Sequence, residues 1–367
     1  MIKFLDLKSV NAQHRNKLIS AFQRVLDSGQ YILGEQVSLF EENFAQYCNV
    51  KKCIGVGNGL DALSLILRGY GIGDGDEVLV PSNTYIASWL SISQCGAMVV
   101  PVEPMIATYN IDPDLIEKNI TKNTKAIMPT QLNGRVADMD VILQIADKYN
   151  LQVYEDSAQA LGAKYKGKSA GSFGIGGCIS FYPAKVLGCF GDGGAVLTND
   201  EAIYKTIKLM RDHGRGEDGN VSVWGYNSRL DNLQAAILNY FFDDYKTIVQ
   251  RRRAIANLYA ENLKNLKSVI LPPAVDSHVN NFDIYQNYEI EAEKRDKLKE
   301  YLSGKGVGTL IQWGGKAVHE FRDLGFNQSL PFTEKIMRNS LMLPLNMTVT
   351  DDEVKYICKC VRDFYND

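Results

Sequence analysis

The sequence predicts an α/β fold, with a mostly parallel central sheet and a smaller α+β domain at the C-terminal end. In the first two-thirds of the 367 residues, short β-rich runs alternate with helical patterns, which favours parallel strands covered by helices on both faces. The segment from about Leu230 to Asn265 has a helical pattern without Gly or Pro and predicts a helical link. We therefore expect a large domain at residues 1–245 and a small domain at residues 246–367.

The individual elements follow from periodicity and from turn residues. Strands of the large domain are predicted at Glu77–Val80, Met98–Val102, Ala126–Pro129, Leu151–Tyr154, Cys178–Phe181 and Ala195–Thr198. Helices are predicted at Thr84–Gln94 and Asp138–Tyr149. In the small domain we expect strands at Ser268–Leu271 and near Tyr288–Ile290, and helices near Arg295–Leu302 and after the capping box Thr350-x-x-Glu353.

Composition and charge exclude several classes of protein. Hydrophobic residues make up 45% and charged residues 23%, and the net charge of -3 does not suit a surface that binds nucleic acid. The short run Arg251-Arg252-Arg253 is typical of a solvated helix face. No signal peptide or membrane span is recognisable, so we expect a cytoplasmic protein. The seven cysteines are scattered without a CxxC pair, which indicates neither a metal site nor a disulfide framework.

Two strand ends carry residues whose chemistry suits a cofactor with a pyridine ring. Asp156 follows a buried strand and could hold a protonated pyridine nitrogen, although a lone aspartate there is more often a helix cap. Lys185 leaves another strand through a turn that contains Pro183, where a rigid backbone and a lowered pKa would suit a Schiff-base lysine. The many glycines around Lys185 favour a backbone that comes close to a bound group. They do not exclude the alternative, which is a lysine in a flexible surface loop.

A third feature is the glycine-rich helix start at Val56–Leu63. Free N–H groups at the start of a helix suit a phosphate, and the hydroxyl of Ser180 could donate to one as well. The motif is not a Walker A sequence, and a plain turn into a helix explains it at least equally well.

A glycine-rich helix start, a strand-end aspartate and a strand-end lysine, in this order, are typical of fold-type I pyridoxal-phosphate enzymes. Over nearly its whole length the sequence resembles the DegT/DnrJ/EryC1/StrS sugar aminotransferases. The stretches that carry the resemblance are Tyr31–Gly34, Gly55–Leu63, Gly75–Val78, Pro81–Tyr85, Asn110–Pro113, Glu155–Gln159, Ser180–Lys185, Gly191–Gly194 and Gly225–Leu230. The resemblance implies an aspartate aminotransferase-like fold.

The resemblance also implies how the cofactor is held. Lys185 would form the Schiff base with pyridoxal 5′-phosphate, and Asp156 would hold the pyridine nitrogen. Tyr85 would stack on the ring, and Gln159 would contact the side of the ring that carries the hydroxyl.

The phosphate would be bound by residues of two subunits. Gly59, Leu60 and Ser180 would bind it from one subunit and Asn227 from the other, so the resemblance implies a homodimer with shared active sites. Leu60 stands where the family often has threonine, so that only its backbone N–H is left for this role.

Two stretches near the C-terminus, Gln286–Glu289 and Gln312–His319, look like a subset of the family that acts on nucleotide-linked keto-6-deoxyhexoses. By position, Gln312 and Trp313 would approach the sugar of the neighbouring subunit, and Tyr31 would line that site. Core packing is an alternative of similar weight for Trp313, and a structural role is favoured for His319.

Two departures from the family pattern bear on the substrate rather than on the cofactor. Gln131–Gly134 replaces a common His-Leu-Tyr-Gly, and Val102–Pro104 replaces an Asp-rich turn.

The implied reaction has two halves. L-glutamate would leave its amino group on the cofactor, as pyridoxamine 5′-phosphate, and the keto sugar would then take it up. Lys185 would act as nucleophile and as proton carrier. The expected substrate is a nucleotide-linked 3-keto- or 4-keto-6-deoxyhexose, with dTDP and C-3 preferred, in amino-sugar biosynthesis for surface glycans or glycosylated metabolites.

Two other functions stay open. A sugar dehydratase of the same fold would carry histidine in place of the lysine, so the presence of Lys185 argues against it. A regulator that binds a ligand without turnover would not need Asp156, Ser180 and Lys185 together.

Overall fold

The computed structural model describes residues 1–366. Its strands are β1 (Lys52–Val56), β2 (Glu77–Pro81), β3 (Met98–Val102), β4 (Thr124–Ile127), β5 (Gln152–Asp156), β6 (Lys164–Tyr165), β7 (Lys168–Ser169), β8 (Gly176–Ser180), β9 (Gly194–Thr198), β10 (Val269–Ile270), β11 (Asn281–Phe282), β12 (Tyr288–Ala292) and β13 (Ser340–Leu343).

The α-helices are α1 (Leu7–Ala12), α2 (Arg15–Ser28), α3 (Glu35–Cys48), α4 (Gly59–Gly69), α5 (Ile86–Gln94), α6 (Pro113–Ile116), α7 (Met139–Lys148), α8 (Glu201–Met210), α9 (Asn232–Phe242), α10 (Tyr245–Leu263), α11 (Arg295–Gly304), α12 (Pro331–Asn339) and α13 (Asp351–Tyr365). Short 3₁₀ turns lie at Glu117–Asn119, Leu132–Gly134, Gln312–Gly315, Val318–Glu320 and Arg322–Leu324.

A seven-stranded sheet has the order β1-β9-β8-β5-β4-β2-β3. The five strands from β8 to β3 run parallel, whereas β9 runs antiparallel to both β8 and β1. The mostly parallel sheet predicted from the sequence is therefore confirmed. Strands β1, β6, β7, β11 and β13 were not predicted. Each is short, with two to five residues, and none shows a regular alternation of polar and apolar residues.

Helices cover both faces of this sheet, because alternate residues of each strand point to opposite sides. In β2, Leu79 packs into a core with Phe40 of α3, whereas Val78 and Val80 pack into a second core with Leu63 of α4. The helix predicted from Thr84 begins two residues later, at Ile86, because Tyr85 is extended.

A third core lies towards the C-terminus, around the antiparallel sheet β10-β12-β13. It contains Tyr259 of α10, Leu298 of α11 and Ile357 of α13, and the N-terminal Ile2 packs against it. The division of the chain at residues 245 and 246 stays a prediction. The predicted capping box is present, since Thr350 Oγ1 accepts from the Glu353 N–H and the Glu353 carboxylate accepts from the Thr350 N–H.

Two further observations concern the described residues. No helix within residues 1–366 is both long and apolar enough to cross a membrane. All seven cysteines are buried and have free thiols.

Candidate active site

The predicted site residues lie where three neighbouring strands meet at one edge of the large sheet. Asp156 is the last residue of β5, Ser180 is the last residue of β8, and Gly194 pairs with Ser180 at the start of β9. Lys185 follows β8 by five residues. The carboxyl ends of parallel strands share one edge, which is where open α/β sheets bind ligands.

Asp156 is a buried carboxyl group held by two donors. It is 5% exposed, its Oδ2 accepts from Ser88 Oγ at 2.6 Å, and its Oδ1 accepts from the Ala158 N–H at 3.1 Å. Behind Ser88 stands Thr84, whose Oγ1 lies 2.8 Å from Ser88 Oγ. Burial raises the pKa of Asp156, while the two donors and the charge of Lys185 act in the opposite direction. A carboxylate placed in this way can accept a further donor and stabilise a cation.

Lys185 sits on a turn that is fixed from two sides. Its N–H donates to the Tyr182 carbonyl at 2.8 Å, and the peptide groups before and after it bond to the side chain of Gln286. Burial lowers the pKa of the Lys185 amine, although the nearby Asp156 raises it. The amine has no hydrogen bond or ion pair within residues 1–366. A desolvated amine with a lowered pKa is suited to act as a nucleophile.

The start of α4 lies in close contact with the end of β8. A Cβ on Gly59 would lie 2.8 Å from Ser180 Cβ, and a Cβ on Gly194 would lie 2.4 Å from the Asn58 carbonyl. The first amides of a helix, here those of Gly59 and Leu60, have no acceptor within the helix. With the Ser180 hydroxyl beside them, these amides form a site suited to an anion such as a phosphate.

A small cavity lies beside Lys185. Gln159, Ser180 and Lys185 all line it. The Oε1 of Gln159 accepts from the Asn133 N–H at 2.8 Å. The carboxylate of Asp156, the nearby amine of Lys185 and the anion site at the start of α4 fit the ring nitrogen, the aldehyde and the phosphate of pyridoxal phosphate.

The structure also brings Tyr85 and Trp313 together. Their ring centroids are 6.0 Å apart, and Tyr85 is 53% exposed. Trp313 is half-buried, belongs to none of the hydrophobic cores, and has a φ of 48°, in the left-handed region that non-glycine residues rarely adopt. Packing in a core therefore does not account for Trp313.

Gln312 lies next to the buried carboxyl group of Glu289, to which the sequence assigned no individual role. With its amide nitrogen turned towards Glu289, Gln312 donates to both carboxylate oxygens, at 3.2 and 3.3 Å. The Nδ2 of Asn133 also donates to Glu289, at 2.7 Å. Burial raises the pKa of Glu289 to about 7.

Two predicted site residues, Tyr31 and Asn227, are not brought to Lys185 or Asp156 within one chain. Tyr31 is 54% exposed and Asn227 is exposed. Within residues 1–366, neither side chain makes a hydrogen bond or ring contact with Lys185 or Asp156. His319 is fully buried, with its Nε2 3.5 Å from the Glu334 carboxylate, as a structural role requires.

The sequence assigned no individual role to four residues that hold this site: Thr84, Ser88, Asn133 and Gln286. Ser88 lies four residues after Thr84, so the helix predicted from Thr84 could have placed the two hydroxyls on one face, although α5 itself begins at Ile86. Asn133 and Gln286 each contact residues far away in the sequence, and no local signal indicates such contacts.

Comparisons with known proteins agree with this geometry. The sequence model of the DegT/DnrJ/EryC1/StrS aminotransferase family matches residues 12–362. The dTDP-3-amino-3,6-dideoxy-alpha-D-galactopyranose transaminase of Aneurinibacillus thermoaerophilus is 45% identical, over 99% of both chains. The dTDP-3-amino-3,4,6-trideoxy-alpha-D-glucose transaminase of Streptomyces venezuelae is 39% identical, over 99% of this chain and 96% of its own.

A solved structure is similar over the whole chain. The crystal structure of S. venezuelae DesV in complex with a ketimine intermediate has a TM-score of 0.96 and 39% identity, and the match covers 100% of this chain and 99% of that one. The expected fold is confirmed. The chain belongs to the DegT/DnrJ/EryC1/StrS aminotransferase family.

Proposed function

We propose that this chain transfers the amino group of L-glutamate to the C-3 carbonyl of a dTDP-linked 6-deoxyhexose. The observation that carries the proposal is the buried Asp156 with the half-buried Lys185 nearby, beside the anion site at the start of α4. Two relatives that match nearly the whole chain are named for dTDP-linked 3-amino sugars, which supports both C-3 and dTDP.

The cofactor of the proposed reaction is pyridoxal 5′-phosphate, with pyridoxamine 5′-phosphate as its aminated form. When bound, it supplies an aldehyde that captures an amino group and a ring that accepts electrons. Lys185 would hold the aldehyde carbon and Asp156 the ring nitrogen. Gly59, Leu60 and Ser180 would hold the phosphate.

Lys185 has a second task once its amine is free. The neutral amine, which burial favours, accepts a proton at Nζ, and the resulting ammonium returns it to another atom within reach. Asp156 carries the opposite charge nearby and would keep the ring nitrogen cationic. Tyr85 would stack on the ring and restrict its contact with water.

We propose that the sugar binds at the side of the site where Trp313 lies. Because Trp313 lies beside Tyr85 of the same chain, we propose that Gln312 and Trp313 face the sugar bound at the Lys185 of their own chain. This differs from the expectation that they reach the neighbouring subunit. Tyr31, which is exposed, would line the sugar site of the other subunit.

A homodimer is part of the proposal, because Asn227 would complete the phosphate site of the other subunit. The exposed apolar face of α2 supports a second copy as the partner. Ile19, Phe22 and Leu26 lie on one side of that helix and are each about half exposed (50%, 50% and 52%). Apolar faces of this kind commonly mark protein interfaces.

The test is a substrate panel. Purified holoenzyme is incubated with L-glutamate and with dTDP- or UDP-linked 3-keto- and 4-keto-6-deoxyhexoses, and the products are identified by mass spectrometry. The proposal predicts 2-oxoglutarate and a 3-amino sugar linked to dTDP. A product that has lost water would indicate a dehydratase. Binding of sugars without any turnover would indicate a regulator.

A further inference from the structure

Asn133 uses all of its polar groups in hydrogen bonds around the cofactor cavity. Its N–H donates to Gln159 Oε1 at 2.8 Å, and its Nδ2 donates to Glu289 Oε2 at 2.7 Å. Its Oδ1 accepts from Asn287 Nδ2 at 2.9 Å, and its carbonyl accepts from the Gln286 N–H at 3.0 Å. Its φ of 53° is in the left-handed region, which asparagine tolerates better than most residues. The segment from Gln286 to Glu289 therefore determines where Asn133 lies.

The side chain of Gln286 holds the backbone on both sides of Lys185. Its Oε1 accepts from the Val186 N–H at 3.0 Å, and its Nε2 donates to the Ala184 carbonyl at 3.1 Å. The carbonyl of Gln286 accepts in turn from Arg252 at 2.6 Å. One carboxamide thus fixes both peptide groups that flank the lysine.

The bond from Asn133 also orients the amide of Gln159. A carboxamide has one oxygen that only accepts and one nitrogen that only donates. Because the Asn133 N–H occupies the oxygen of Gln159, the nitrogen is left as a donor. Gln159 lines the same cavity as Lys185, so that donor is available to a group bound beside the lysine.

We propose that Asn133 and Gln286 are positioning residues of the cofactor site. Gln286 holds the main chain at Lys185, and Asn133 presents Gln159 as a hydrogen-bond donor to the ring hydroxyl of pyridoxal phosphate. Glu289, buried and bonded to both Asn133 and Gln312, anchors this arrangement. The inference rests on the proposed function in so far as the bound group is pyridoxal phosphate.

A hydrogen bond donated to the ring hydroxyl would make the oxygen of that hydroxyl less basic. The same oxygen would accept a hydrogen bond from the protonated nitrogen that joins Lys185 to the cofactor. The donor therefore lowers the pKa at which the visible absorbance of the bound cofactor changes. Loss of one hydrogen bond of ordinary strength should raise that pKa by about one unit.

The experiment compares Asn133→Gly, which tolerates the positive φ, and Gln286→Met with the control Asn281→Ala. Asn281 Nδ2 donates to the Val136 carbonyl at 3.1 Å, so the control removes a bond between the same two segments without touching Gln159 or the Lys185 turn. For each holoenzyme we measure the absorbance from pH 5 to 10, the release of cofactor, and kcat and KM for the nucleotide sugar.

Asn133→Gly keeps the N–H that donates to Gln159 but removes the side-chain bonds to Glu289 and Asn287 that hold this N–H in place. The proposal therefore predicts that the variant raises the pKa of the absorbance change, by at most about one unit. Gln286→Met should speed cofactor release and lower kcat, each about tenfold, while KM for the sugar changes less than about twofold. Asn281→Ala should resemble the wild type. If both variants behave like Asn281→Ala, the two residues serve only to dock the segments and the proposal is wrong.

Gln159→Met provides a test that leaves both positioning residues in place. Because it removes the donor itself, it should raise the pKa of the absorbance change by about one unit, at least as much as Asn133→Gly does. An unchanged pKa would overturn the proposal even if Asn133→Gly does not fold. A wild-type protein that shows no visible absorbance with pyridoxal phosphate would instead refute the proposed function. The two failures are therefore distinguishable.

Discussion

Ser88, in the first turn of α5, donates from its Oγ to the Oδ2 of Asp156 at 2.6 Å. The bond opposes the effect of burial, which raises the pKa of Asp156, and so favours the ionised carboxyl. Thr84 lies 2.8 Å from Ser88 and limits the directions in which its hydroxyl can point. The charge of Asp156 thus depends on a helix that contributes no group to the reaction.

Ser88→Ala should lower kcat about tenfold, because a hydrogen bond to a charged group is worth about 1.5–3 kcal/mol. Ser91→Ala is the matched control. Ser91 is buried on the same helix, but its hydroxyl donates only to the Ser88 carbonyl, at 2.8 Å. Steady-state kinetics of both variants check the prediction, and equal losses of activity would refute it.

Gly59→Ala should weaken the binding of the cofactor about tenfold, because overpacking costs about 1–3 kcal/mol. The added Cβ would lie 2.8 Å from Ser180 Cβ, inside the anion site. A Cβ on Gly304, at the end of α11, meets nothing within 4 Å, so Gly304→Ala is the control. Titration of each apoenzyme with pyridoxal phosphate measures the affinity, and an unchanged affinity in Gly59→Ala would contradict the assignment of the phosphate site.

The large sheet and the places of Asp156 and Ser180 were predictable, because each of them depends on a local signal in the sequence. Each parallel strand is a short apolar run closed by a turn, and Asp156 and Ser180 end two of these strands. Their place at the carboxyl edge follows from the parallel order, and parallel strands share that edge whatever the other details of the fold.

The residues that hold the site were not predictable, because their contacts are not local. Asn133 and Glu289 are 156 positions apart, and nothing near either residue shows that they meet. Trp313 was ambiguous for a related reason, since a tryptophan in a sequence does not reveal whether its neighbours form a core. The structure places it beside Tyr85 instead.

The stability of the protein should fall as the pH rises from 5 to 8, in part because of Glu289. Its pKa in the folded chain is about 7, against an ordinary value of 4.5, so the folded state binds more protons than the unfolded state between these values. The stabilisation is complete below pH 4.5 and is lost as the pH rises through 7, by about 3 kcal/mol at most.

Glu289→Gln should remove this part of the pH dependence, because the amide does not titrate. Urea unfolding of both holoenzymes at pH 5 and pH 8 measures the effect. The variant should gain stability relative to the wild type at pH 8. A difference between the two proteins that is the same at both pH values would show that Glu289 is not the group responsible.

Mixing two inactive variants should restore activity if Asn227 acts across a dimer interface. In a mixture of Lys185→Ala and Asn227→Ala, about half of the dimers contain one chain of each kind, and each such dimer has one intact site. About a quarter of the wild-type activity should therefore return.

The control for this experiment mixes Lys185→Ala with Asp156→Asn. The charges of these two residues interact within one chain, so both belong to the same site. Every site in the mixed dimer then carries a defect, and no activity should return. Recovery in the control, or none in the first mixture, would contradict the shared active site.

The most direct test of the whole account is to find which lysine carries the cofactor. Holoenzyme is reduced with sodium borohydride, digested, and analysed by mass spectrometry for a peptide that bears the reduced pyridoxyl group. The account predicts this group on Lys185, and its loss in Lys185→Ala. A pyridoxyl group on another lysine, such as Lys164, Lys166 or Lys168, or no modified peptide at all, would contradict it.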